Sequence, residues 1–156
     1  MKVSVVQAHA DHIAHIAANV READRLELWN YALLKPEEAL RKSLDASVCA
    51  ATGMVDGIPV AMFGIATANP LSDVGLPWLI GTSDIERHQM AFLRRNKDVV
   101  KIWLSCYARL ENYVSCDNAK AIQWLKWIGF KFDEPQSIGL FGKPFMKFWM
   151  ENNANG

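Results

Sequence analysis

Few features of this sequence point to a chemistry. Its three cysteines, Cys49, Cys106 and Cys116, are an odd number with no Cys-x-x-Cys spacing. That excludes a cysteine-based zinc site and a disulfide framework, and leaves buried reduced thiols as the expected state. Neither sign of charge is in excess, since Lys plus Arg and Asp plus Glu both count 17. Nothing in that balance favours nucleic acid or an anionic membrane, and near-neutrality mildly favours self-association. Long apolar runs are missing, and a stretch such as residues 58–68 is far too short to span a bilayer. Met1-Lys2-Val3 leads straight into an alternating strand, with no apolar signal region or small-residue cleavage site. A cytosolic or particle-borne protein is expected. There is no internal repeat, low-complexity segment or linker, which predicts one domain over residues 1–150 and a frayed polar tail at 151–156.

What is present is the composition of a globular domain, 51% apolar and 22% charged over 156 residues. A chain of this length buries roughly 70% of its unfolded surface. Residues 3–8 alternate as a short strand. Asp11 is placed to cap a helix to about residue 20, with Ile13, Ile16, Ala17 and Val20 on one face. Residues 22–34 read as a second helix with Leu26, Trp29 and Leu33 facing inward. Its Glu22, Asp24 and Glu27, balanced by Arg21 and Arg25, read as a solvated face. Pro36-Glu37-Glu38 opens a third helix, with proline in the first turn and acids at the positive end of the dipole.

The period then changes. Residues 47–54 and 59–67 are apolar β-type runs joined at Asp56-Gly57, a hairpin signal. Residues 76–80 form a further strand. Ser83 and Glu86 have capping-box spacing and open a helix to about residue 95. A separate helix over 99–110 repeats Val99, Trp103, Cys106 and Leu110. A strand at 113–116, a helix at 119–128 and apolar strands near 130–132 and 145–150 complete the chain. Hairpins in the middle and helices between later strands predict a mixed α/β fold, its sheet covered on both faces.

This order, together with Asn118, Ala121 and the Gly129-Phe130 stop, resembles the GCN5-related N-acetyltransferase (GNAT) fold, a central mixed, splayed β-sheet with helices on both faces. The resemblance covers nearly the whole chain in element order and residues 118–130 in motif. More specifically, the run Pro77-Trp78-Leu79-Ile80-Gly81-Thr82, the helix carrying Arg87-His88 and Phe92-Leu93-Arg94, and the segments 110–114 and 121–130 look like small bacteriophage proteins. These are acetyltransferase-like or internal virion proteins of short-tailed phages. The resemblance implies that strands 76–80 and 113–116 are adjacent and parallel. It also makes acetyl-CoA a possible cofactor, its pantetheine arm passing between them against Leu79, Ile80, Gly81 and the Asn118 side chain.

The residues depart from the enzymes at two places. GNAT enzymes follow the fourth strand with an Arg/Gln-x-x-Gly-x-Gly/Ala loop whose bare amides cradle a pyrophosphate. Here the turn reads Gly81-Thr82-Ser83-Asp84-Ile85-Glu86-Arg87, with no glycine after Gly81 and two acids facing where the diphosphate would lie. A closed cap is expected in place of an anion nest. The tyrosine that commonly follows the motif asparagine by seven residues, as general acid, is replaced by Leu125. Tyr113 is the nearest alternative, and a strand tyrosine is ordinarily a core residue with its hydroxyl at the rim. No catalytic residue is assigned, and no cofactor is expected.

His9, His12 and His15 repeat every third residue, but no second ligand cluster accompanies them, so surface histidines are expected and no metal site. Six tryptophans are many for this length. Trp103 and Trp124 read as core. Trp127, Phe145 and Trp149 are interface candidates, at least one of them exposed in an apolar patch larger than about 400 Å². The strand holding Phe145, Phe148 and Trp149 is apolar on both faces, which predicts that it is sandwiched or docked. The expected function is a virion-associated or assembly protein on a degenerate acetyltransferase scaffold, located in a virion or host cytoplasm. Its partners would be other phage proteins or a second copy, and neither nucleic acid nor membrane. The alternative is an acetyl-CoA-dependent N-acyltransferase acting on a host protein or a small amine.

Overall fold

The computed structural model describes residues 1–152. Its strands are β1 (Val3–Gln7), β2 (Ser47–Val55), β3 (Ile58–Ala66), β4 (Val74–Gly81), β5 (Arg109–Ser115), β6 (Lys131–Phe132), β7 (Gln136–Ile138) and β8 (Lys143–Glu151). The α-helices are α1 (Ile13–Ala18), α2 (Glu22–Ala32), α3 (Pro36–Ala46), α4 (Gln89–Cys106) and α5 (Ala119–Ile128). All eight strands join one mixed sheet in the order β1-β2-β3-β4-β5-β8-β6, with β7 also paired to β8. Every pairing is antiparallel except β4 with β5.

Local chemistry accounts for most boundaries. The β2–β3 connection turns at Asp56 (φ 50°) and Gly57 (φ 78°), both left-handed as a two-residue hairpin requires. Pro36 starts α3, and Glu37 and Glu38 occupy its first turn. Asn118 caps α5 by accepting from the Ala121 amide, and Gly129 (φ 117°) ends it, its own N–H donating to Leu125 and Lys126. Alternation along β3 and β4 supplies two cores. Met62 and Ile80 pack under Ile13, Ile16 and Leu40 of α1 and α3. Phe63 joins Val100, Trp103, Leu110, Val114, Phe130 and Phe148 between the sheet and α4, with α5 residues packed against them.

The parallel pair matters most for the site. β4 and β5 register only at Val74 with Arg109 and Gly75 with Leu110, then part. Farther along, the Asn112 side chain reaches across and donates to the Pro77 carbonyl at 2.9 Å. The sheet is therefore splayed, as expected for the fold.

Several expectations need correction. The helical segments 83–95 and 99–110 are one 3₁₀ segment (Ser83–His88) running into a single α4 that stops at Cys106. Leu110 consequently lies in β5, because the break in the chain falls at Tyr107 and not between residues 95 and 99. The first helix begins as a 3₁₀ turn capped by His9, not Asp11, the His9 ring accepting from the Asp11 amide. Two of the three cysteines, Cys49 and Cys106, are exposed, so the thiols are free but not buried. β8 is apolar on both faces because Phe148 joins the core beneath α4 while Phe145 packs against Tyr31 of α2. Of the expected frayed tail, Glu151 pairs with Arg109 in the sheet and the Asn152 amide donates to Ala108. Residues 153–156 lie outside the described residues. Among the described residues no helix is long and apolar enough to cross a membrane.

Candidate functional site

Parting two strands leaves backbone N–H groups that need acceptors. In this chain α2 supplies them. Asp24, Glu27, Leu28 and Tyr31 fall on one helical face at three- and four-residue steps, and that face lies across the splay. The Gly81 amide at the end of β4 donates to Asp24 Oδ2 at 3.0 Å. The Ser115 amide at the end of β5 donates to Glu27 Oε1 at 2.7 Å. Two carboxylates thus stand where a neighbouring strand would otherwise accept.

This reverses the expectation for α2. Its Leu26 (46% exposed) and Trp29 (40%) face outward, whereas Asp24 and Arg21 are each 5% exposed. The solvated pair of this helix is Glu22 with Arg25. Glu27 is half-buried and lines a cavity.

Arg21 and Asn118 close the cluster. Arg21 Nη1 donates to Asp24 Oδ1 at 2.8 Å, and its Nε donates to Glu86 Oε1 at 3.2 Å. The guanidinium also approaches Asn118 Oδ1 at 3.4 Å and lies 4.8 Å from the centroid of the Trp124 ring. Asn118 donates from Nδ2 to Asp24 Oδ1 at 3.0 Å and to Glu27 Oε1 at 3.4 Å. The residue that caps α5 therefore also clasps both acids.

The electrostatics follow from the count of charges. Burial pushes the Asp24 carboxyl up, against the pull of Arg21 and of the Gly81 and Asn118 hydrogen bonds. Burial likewise pushes Glu27 up to about 7, with the neighbouring Asp24 charge adding and the Ser115 bond opposing. Arg21 ion-pairs with buried Asp24 and with the more exposed Glu86, and Glu27 feels its charge without an ion-pair contact. Three acids thus surround one guanidinium, and the upward shifts of Asp24 and Glu27 limit the negative charge they carry near neutral pH.

The turn after β4 is closed, by a different device from the one expected. Thr82, not Ser83, is the residue before the 3₁₀ segment, and no side chain caps it. Residues 19–21 lie alongside instead. The Ser83 amide donates to Asn19 at 3.3 Å, the Arg21 amide to Gly81 at 2.8 Å, and the Ile85 amide to Thr82 at 3.1 Å. Glu86 is drawn to Arg21 and does not fold back onto the turn.

A cavity of about 300 Å³ runs through the splay. Its lining includes Glu27 and Tyr31 of α2, Lys42 of α3, Phe92 and Asn96 of α4, and Asn118 before α5. Leu79 lines it, Ile80 lines it from a buried position packed toward α1 and α3, and Gly81 has its amide committed to Asp24. Tyr113 lines the cavity as well, 6.1 Å from Tyr31 ring to ring, and Leu125 packs into the core.

The interface candidates separate. Trp127 is 41% exposed, with Lys97 Nζ 4.8 Å from its ring centroid. Trp149 is half-buried between Arg109 (4.5 Å) and Lys131 (5.1 Å), its Nε1 donating to Asp133. Phe145 is fully buried against Tyr31 and has no surface to offer, because it faces inward from a central strand. Trp103 and Trp124 are buried as expected. His12 is hydrogen-bonded to Thr52 at 2.8 Å, and among the described residues no group of three or more potential ligands could hold a metal ion.

No family model and no curated protein sequence matches the chain. Solved structures do. An N-acetyltransferase from Staphylococcus aureus Mu50 superposes with a TM-score of 0.74 at 10% identity, covering 97% of this chain and 99% of that one. A GNAT-family acetyltransferase from Streptococcus pneumoniae gives 0.66 at 13% identity over 96% and 99%. A ribosomal L7/L12 α-N-protein acetyltransferase, in complex with coenzyme A, gives 0.72 at 8% identity over 99% and 97%. At these identities the likeness is one of architecture, and the chain has the GCN5-related N-acetyltransferase fold.

Proposed function

We propose that this protein uses an acetyltransferase scaffold as a binding and assembly module and is not an efficient acetyl-CoA enzyme. One observation carries the reading. The amides of Gly81 and Ser115, at the mouth of the splay where a pantetheine arm would lie, already donate to Asp24 and Glu27. A donor entering there would have to displace buried carboxylates from charge-assisted bonds, at a cost of several kcal/mol. Three acids around one guanidinium also disfavour a diphosphate there. The resemblance to small virion proteins of short-tailed phages supports a place in a particle or its assembly. Exposed Trp127 is the candidate anchor for a protein partner. Trp127→Ala should then abolish incorporation into particles or oligomers while leaving the thermal midpoint nearly unchanged.

A second reading, an acetyl-CoA-dependent N-acyltransferase, is favoured by Glu27. A carboxyl held near 7 beside a cavity is suited to take a proton from an ammonium acceptor. Titration calorimetry with coenzyme A separates the two. No heat at millimolar ligand is the expected result, and saturable binding in the micromolar range would replace the first reading by the second.

A further inference from the structure

The chain is neutral overall, but its charge is unevenly spread. α2 and α3 carry six acids, Glu22, Asp24, Glu27, Glu37, Glu38 and Asp45, against three cations. α4 and α5, on the other side of the sheet, carry six cations, Arg94, Arg95, Lys97, Lys101, Lys120 and Lys126, against the single acid Asp98. The arginines show the contrast. Arg21, Arg25, Arg41, Arg87 and Arg109 each have a carboxylate within ion-pair distance. Among the described residues Arg94 and Arg95 have none, and neither have the four lysines of α4 and α5. Arg95 instead donates to the Val3 carbonyl at 3.4 Å.

Met90, Arg94, Lys97 and Lys101 follow one another at steps of four, three and four, which places them on one stripe of α4. Like charges at such steps repel, so the stripe weakens its own helix and contributes nothing to the fold. Large apolar side chains are left in water beside it. Met90 and Trp127 are exposed and Ile102 is 62% exposed. Lys97 Nζ lies over the Trp127 ring and ties the stripe to α5.

We propose that the outer face of α4 and α5 docks an acidic, amphipathic protein segment. Its carboxylates would pair with Arg94, Lys97 and Lys101, and its apolar side chains would pack on Trp127 and Ile102. This rests on the reading of Trp127 as a protein-docking anchor and names the chemistry of the partner. Charge complementarity carries it: unpaired cations interleaved with exposed apolar groups match a segment with the opposite charge and the same interleaving. Cations this dense do not suit the core of a large obligate interface, which is depleted of charge. Nucleic acid fits less well, because Lys97 already covers the Trp127 ring on which a base would stack, and phosphates offer nothing to Ile102. A bilayer fits less well too, because α4 turns Phe92, Leu93, Val100 and Trp103 into the core and leaves few apolar groups to insert.

The test is fluorescence anisotropy of the full chain with a labelled peptide of four Leu-Glu-Asp-Phe repeats, whose apolar residues share one helical face. The comparison probes are the same peptide with Lys at every acidic position, polyglutamate, oligo-dT and phosphatidylserine vesicles. The acidic peptide should bind saturably in the micromolar range, and the other probes at least tenfold more weakly. Its affinity should fall severalfold as salt is raised. Trp127→Ala should weaken it at least tenfold. The double variant Lys97→Glu with Lys101→Glu should weaken it as much and gain binding to the Lys peptide, a gain that an unfolded variant could not show. No binding of the acidic peptide, equal binding of polyglutamate, oligo-dT or vesicles, or unaltered affinity in either variant would overturn the proposal. Peptide binding is read without coenzyme A, so its failure is distinguishable from the outcome of that titration. If Trp127→Ala blocks incorporation into particles or oligomers while the double variant does not, the anchor stands and the acidic partner is overturned.

Discussion

Glu27 is the residue on which the electrostatics turn. It is an acid whose folded pKa, about 7, lies above its ordinary 4.5, so the folded state binds more protons than the unfolded one between those values. Stability therefore falls as pH rises from about 4.5 to 7, and the loss is complete above that window. Its size is on the order of 3 kcal/mol. Glu27→Gln should be more stable than the parent at pH 8 and little different at pH 4, read from denaturant midpoints. Burial shifts Asp24 up as well, but Asp24 also has a cation as partner. Asp24→Ala leaves buried Arg21 with only the more exposed Glu86 as ion-pair partner and the Gly81 amide without its acceptor, and should cost about 3–5 kcal/mol. Neither role is legible in the sequence. Arg21, Asp24 and Glu27 at steps of three have the spacing of an ordinary solvated ion-pair face, and what reverses the reading is the need of two distant amides, Gly81 and Ser115, for acceptors. Asn118 is legible, since an asparagine three residues before Ala121 at a strand-to-helix junction is a cap whatever else it does.

Among the elements, α2 is a helix whose local pattern and tertiary placement disagree. Its Leu26 and Trp29 face solvent while its acids face the sheet. Leu26→Lys should leave stability within about 0.5 kcal/mol, whereas Leu28→Lys, on the face packed toward α1 and α3, should cost on the order of 2 kcal/mol or more. Chemical unfolding of the two variants decides which face is in. α5 is the opposite case, its cap, apolar face and glycine stop all readable from residues 118–130. Gly129 sits at φ 117°, and a methyl group added to its Cα would meet only Met150 Cε, at 3.6 Å. Gly129→Ala should therefore cost about 1–2 kcal/mol through backbone strain and not through a clash. The β2–β3 hairpin is equally plain, because Asp-Gly between two apolar runs leaves few alternatives. The continuity of residues 89–106 is hidden from sequence. This helix begins as a 3₁₀ segment with no capping side chain to mark its start, and Asn96-Lys97-Asp98 in mid-helix has the polarity of a loop.

For the whole molecule, the order of elements is enough to anticipate a splayed mixed sheet, and the adjacency and parallel direction of β4 and β5 agree with it. What the order of elements does not convey is the content of the splay. The same architecture can hold a pantetheine arm between parted strands or hold its own side chains there, and the difference lies in two backbone amides. Whether Asp24 and Glu27 keep the donors that an acyl-CoA would need can be read amide by amide, from ¹⁵N-resolved NMR of the full chain titrated with acetyl-CoA. The Gly81 and Ser115 amide resonances should stay in place at millimolar acetyl-CoA. Saturating shifts of both amides, with loss of their bonds to the two carboxylates, would mean that the splay accepts an acyl donor after all.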